Sequence, residues 1–223
     1  MRTLSRLSTS LIAAFLGFFP WRAALPVVCG LLTAAVLTGL APEPDPIPRR
    51  WQMDFEPGPL RIASVEVAGE GERLFFYMTY KVTNSSDSDL LFAPAFDLAT
   101  NEGEVLRSGR DVPAAVTKEL LGRLGNEYLE DQISIVGVLL QGEGNAKEGL
   151  VVWPATRLDL EDIAVYAAGF SGETRAVDVM DKNGNPSRVM LRKTLMLRYQ
   201  TPGEIRNQGS RPFEVIENRW ILR

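Results

Sequence analysis

The chain has 223 residues, 28 acidic against 24 basic side chains, no histidine, and one cysteine, Cys29. Those absences exclude Ser-His-Asp and Cys-His catalysis, imidazole bases and zinc sites built from His or Cys. A single cysteine forbids an intrachain disulfide, and a net charge of −4 argues against non-specific nucleic-acid binding.

In chain order, the first element is an apolar run beginning at Leu11. Its second piece, residues 23–41, carries no charge and meets the length of a membrane-spanning helix. Arg2, Arg6 and Arg22 precede it, which orients the N-terminus to the cytoplasm and exports the rest of the chain. A cleaved signal peptide would give the same orientation. Gly39 and Ala41 are small enough for a cleavage site, but Pro42 comes directly after and favours an uncleaved anchor. The segment Val27-Val28 lacks the small residues that lipidation of Cys29 needs, so Cys29 reads as a small apolar residue. Residues 42–59 come next, with prolines at 42, 44, 46 and 48. They read as a semi-rigid polyproline spacer, on the order of 50 Å long at ~3.1 Å per residue.

A β domain is expected over residues 60–223. In RLFFYMTYKVTN, residues 73–84, the even positions from Leu74 to Val82 are apolar, as a half-buried strand requires. Phe75 and Tyr77 add bulk to the other face, which therefore needs a cover of its own. Strand-like segments RIASVEV, DLLF, FDLAT, EVLR, GLVVW, IAVYAAG, RAVDV, SRVMLRKTLMLRYQ and FEVIENRWIL are separated by turn residues. About nine short strands at such spacing predict an all-β sandwich. DKNGNP, residues 181–186, reads as a hairpin turn. It lacks the distant carboxylate of a calcium loop, since position 192 is arginine.

A helical-hairpin insertion is expected at about 112–141. Asp111 would cap a first helix striped by Val116, Leu120 and Leu124 and ended by Gly125. A second would carry Leu129, Ile133, Val136 and Leu140 at helical spacing. The pair is the expected cover for Phe75 and Tyr77.

The C-terminal residues 187–223 hold eight Arg or Lys against three Glu, read as cross-strand partners for the acidic middle rather than a polyanion site. Asp159, Glu161 and Asp162, with Glu102 and Glu104, are the carboxylates from which a glycoside hydrolase could draw a pair. No Ser-x-x-Lys nucleophile and no phosphate-binding glycine loop occurs. Trp51, Trp153 and Trp220 read as packing rather than a sugar platform. Asn84-Ser85-Ser86 forms a glycosylation sequon inside a turn.

The run YKVTNSSDSDLLFAPAFDLAT, then EGLVVWPA and IAVYAAGFSG, resembles exported bacterial immunoglobulin-like domains of unknown function. The resemblance covers roughly residues 61–200 and implies an immunoglobulin-like β-sandwich with no catalytic, cofactor-binding or metal-binding residues to carry over. The expected protein is a tethered, non-catalytic binding or scaffolding module of the cell envelope. Its membrane contact would run through residues 23–41, its partner would be an envelope protein or glycan, and it would need no cofactor. If the N-terminus is cleaved, the domain is periplasmic or secreted. The alternative is a carboxylate-dependent hydrolase of envelope glycans.

Overall fold

The computed structural model describes residues 50–182 and 184–223; the apolar segment 23–41 lies outside them. The described chain forms twelve strands and one α-helix. They run β1 (Asp54–Val67), β2 (Gly71–Thr83), β3 (Leu90–Phe92), β4 (Ala95–Thr100), β5 (Val105–Arg107), α1 (Ala114–Leu124), β6 (Leu129–Asp131) and β7 (Gly137–Leu139). After these come β8 (Lys147–Pro154), β9 (Asp159–Ala168), β10 (Thr174–Met180), β11 (Pro186–Glu204) and β12 (Glu214–Leu222). One sheet has the order β1-β2-β8-β6, the other β10-β11-β9-β4-β5 with β12 also on β11, and β3 pairs with β7.

The inward residues of both large sheets share one core. Phe76, Met78 and Trp153 from the first sheet pack with Leu98, Val165 and Leu197 from the second. The outer face of the first sheet has a second, smaller core. Phe75 is fully buried there with Val65, Leu150 and Val152, under Val116 and Leu120 of α1. The helix therefore covers Phe75, in one cluster with Val112 and with Leu129 of β6.

The second expected helix is absent. Residues 129–139 form β6, a turn and β7, and Ile133, Val136 and Leu140 of the expected stripe are exposed. β-Branched Ile133, Ile135, Val136 and Val138 lose rotamer freedom in a helix. A turn also competes: the Asp131 carboxylate accepts the N–H groups of Ile133 (2.7 Å) and Ser134 (3.0 Å). Burial pushes the Asp131 carboxyl up, but these bonds and the Ser134 hydroxyl outweigh it and hold the group below its ordinary value. The first helix also begins differently. Asp111 has φ 59° and does not cap; Pro113 stands at the cap position, and Gly125, φ 64°, ends the helix as expected.

The β domain begins before residue 60, inside the range read as spacer, of which residues 42–49 lie outside the described ones. Met53 is fully buried and β1 starts at Asp54. Pro57-Gly58-Pro59 sits at a register shift between Pro57 and Leu60, on an edge strand, where proline is tolerated. Gly58 is required there, because a Cβ would come within 2.6 Å of the Thr79 carbonyl oxygen.

Candidate functional site

Of the carboxylates of the hydrolase reading, Glu102, Asp159 and Asp162 are tied to cations. Arg157 bridges Glu102 and Asp159, the latter at 3.8 Å. Arg198 binds Asp162 at 3.0 Å and Glu217 at 3.1 Å, and these bonds, Asp162 first, push its pKa up. Glu104 accepts from the Thr156 hydroxyl at 3.2 Å, and Glu161 is exposed. The basic C-terminal strands are largely used in such pairs, with Arg188 on Asp178 and Arg223 on Asp97. Among the described residues no cluster of three or more metal-ligating side chains forms.

The tryptophans do not form a platform. Trp153 is fully buried between the sheets, and Trp51 and Trp220 pack partly buried against the same core. The sequon is structural: Asn84 is fully buried, and its amide donates to the carbonyls of Ser88 and Leu139, each at 2.9 Å. Its Oδ1 accepts from the Ser86 N–H at 3.1 Å.

What the fold does assemble is a groove on the outer side of β1 and β2. Two concavities of about 570 and 470 Å³ adjoin there, sharing Ser64, Leu74 and Arg206 as walls. Three guanidiniums line them. Arg73 comes from β2. Arg123 comes from the last turn of α1, placed by the buried Val116 and Leu120, and donates to the Ser64 carbonyl at 2.8 Å. Arg206 stands on the 3-10 turn Ile205–Gln208, which is held by fully buried Ile205 and by Gln208 donating to the Pro212 carbonyl at 3.0 Å. Glu70 pairs with Arg73 and Glu119 with Arg123; Arg206 makes no ion pair with a described residue. The one carboxylate on the walls, Glu72, accepts the Ser64 hydroxyl at 2.5 Å. Sequence reading missed this groove, because its arginines are 50 to more than 130 positions apart and only the helix packing unites them.

Arg73 and Arg123 are each paired with a carboxylate, which leaves Arg206 as the guanidinium of the groove with no ion pair to a described residue; a guanidinium binds a carboxylate or phosphate group through paired hydrogen bonds. Opposed carboxylates at glycosidase spacing do not occur on these walls.

Compared with models of protein families, with curated proteins and with solved structures, the chain matches none.

Proposed function

We propose that the chain is a membrane-tethered, non-catalytic binding module of the bacterial cell envelope, built on an immunoglobulin-like sandwich, whose groove takes an anionic glycan. The observation that carries the binding reading is Arg206, which makes no ion pair with a described residue, in one groove with the paired Arg73 and Arg123. The sandwich reading rests on strand order. β1-β2-β8-β6 corresponds to A-B-E-D and β5-β4-β9-β11 to C′-C-F-G of immunoglobulin domains. The domain departs from that pattern in its parallel β6–β8 pairing, in β12 and in lacking the inter-sheet disulfide. The tether reading rests on the uncharged run 23–41 and the arginines before it.

Calorimetric titration of the full chain in detergent with polygalacturonate and with poly(glycerol phosphate) tests the groove. Binding that weakens with salt, and falls about ten-fold or more in Arg206→Ala, is the expected result, since hydrogen bonds to charged groups contribute about 1.5–3 kcal/mol. Failure of both polymers to bind, or equal binding by Arg206→Ala, would remove the groove from the function.

A further inference from the structure

Strand β11 outruns its sheet. Its first part, from Pro186 to Arg192, pairs only with β10, from Met180↔Pro186 to Thr174↔Arg192. β12 and β9 take its edges from Lys193 and Thr194 onward. Residues 174–192 therefore form a two-stranded arm about 20 Å long at ~3.3 Å per residue. Its root is fixed by the buried ion pair of Lys193 and Glu173 at 3.1 Å, with Lys193 Nζ 5.6 Å from the centre of the Trp220 ring.

One face of the arm is apolar and bounded by cations. Directly opposed residues share a face of an antiparallel pair. Val177 and Val189 thus stand together, with Val179 on the tip side and Leu191 on the root side. No layer of the domain covers them fully: Val179 is 41% exposed and Val189 40%. Arg175, opposite Leu191, bounds this face at the root, and Lys182 stands at the hairpin tip. Neither makes an ion pair with a described residue, whereas Arg188, on the other face, is paired with Asp178 at 3.5 Å.

A second uncovered apolar face lies at the same end of the domain. Leu91 of β3 opposes Val138 of β7, and Val136 and Leu140 flank Val138 on the same side. Leu91 is 71% exposed and Val138 59%, while Phe92 and Leu139 turn into the core. The rim here is acidic. Exposed Asp87 and Asp89 precede β3, exposed Glu143 follows β7, and residues 82–106 and 124–146 hold no lysine or arginine. Phe92 meets Phe170, just before the arm, with ring centroids 5.4 Å apart. The arm continues past the Ala168 end of β9, where β4 begins at Ala95.

From these two faces we infer that the arm's partner is a second copy of this chain. In a two-fold dimer each arm lays its valine face on the Leu91–Val138 face of the other copy, and Arg175 and Lys182 meet Asp87 and Asp89. Both faces lie at one end of the domain, so a single axis forms both contacts and the interface closes on itself. Charge selects this pairing. Arm against arm would oppose cations, and β3–β7 against β3–β7 would oppose acids, each a like-charge contact that disfavours the wrong partner.

The test uses the full chain in detergent, in a Cys29→Ser background. Val179→Cys mixed with Val138→Cys is expected to give a covalent dimer with a short bismaleimide, and each variant alone little. Ala68→Cys, in the β1–β2 turn, should give none with either, since the opposite end of β1 is the one that meets Phe170, through Phe55 at 4.1 Å. Sedimentation of the unlabelled chain should show monomer and dimer in equilibrium. Asp87→Lys with Asp89→Lys should weaken association about ten-fold or more, as should Arg175→Glu with Lys182→Glu. A chain carrying all four changes should regain it, which separates charge pairing from misfolding. A chain that stays monomeric at every concentration overturns the inference. So does a dimer whose strength ignores these reversals, or one that cross-links as well through either variant alone or through Ala68→Cys.

Discussion

The two halves of β11 share direction, alternation and composition, yet one is exposed and the other buried. Val189, Met190 and Leu191 precede Leu195, Met196 and Leu197 by six residues. The first half has a single partner strand and no layer against it. The second is flanked by β9 and β12 and lies over the inter-sheet core, where Lys193 to Leu197 are all buried. Hydrogen bonding to a neighbour thus makes a strand, and only a second layer makes a core. A two-stranded hairpin alone is marginal in water. The arm's order therefore depends on its root, where a buried ion pair and Trp220 mark the boundary between the halves.

The comparison can be broken most directly at that boundary. Lys193→Ala removes the counter-charge from a buried carboxylate and should destabilise the domain by about 3–5 kcal/mol. Lys193→Met with Glu173→Leu should recover most of that loss, and a double variant as weak as the single one would count against the ion pair as the cause. Urea unfolding midpoints at constant slope measure both. Within the strand, Leu197→Ala should cost about 2–5 kcal/mol and Met190→Ala less than ~0.5 kcal/mol. Equal losses would mean that the arm is packed after all.

The smallest expected effect concerns pH. Burial pushes the phenols of Tyr80, beside the charge of Glu130, and of Tyr199 above their ordinary value. The folded state then keeps protons that the unfolded state releases, so stability is full below about pH 10 and falls as pH rises past it. Without histidine, little change is expected from about pH 5.5 to 8. Tyr199→Phe should flatten the alkaline fall, tracked by denaturant midpoints; an unchanged fall would assign it elsewhere.

The parts of the fold legible in the sequence are those where local pattern and tertiary need coincide. Phe75 and Tyr77 demanded a cover, Val116 and Leu120 demanded a sheet, and each supplies the other. Asp181 and Gly184 announced the hairpin, with Gly184 N–H donating to Asp181 O at 3.0 Å and φ 80° at Gly184. Ile133, Val136 and Leu140 misled because helical spacing arose in a stretch whose buried residues are Leu129, Ile135 and Leu139, in two short strands and the turn between them. Pro57 and Pro59 hid the start of β1, since a bulge on an edge strand tolerates what a central strand does not. The groove was illegible for another reason. Nothing in local sequence tells that Arg206 will meet Arg123, and RAVDV alternates as a half-buried strand does although no layer lies beneath it.

The burial of Asn84 carries a practical consequence. Its amide nitrogen, the atom to which an N-linked sugar is attached, holds Ser88 and Leu139 in place. A glycan and the native turn cannot share that nitrogen. In a eukaryotic secretory pathway the transferase would compete with folding for the same atom, and each chain modified first would be barred from its native state. Production in such a host should divide the material into unglycosylated folded protein and glycosylated protein retained by quality control.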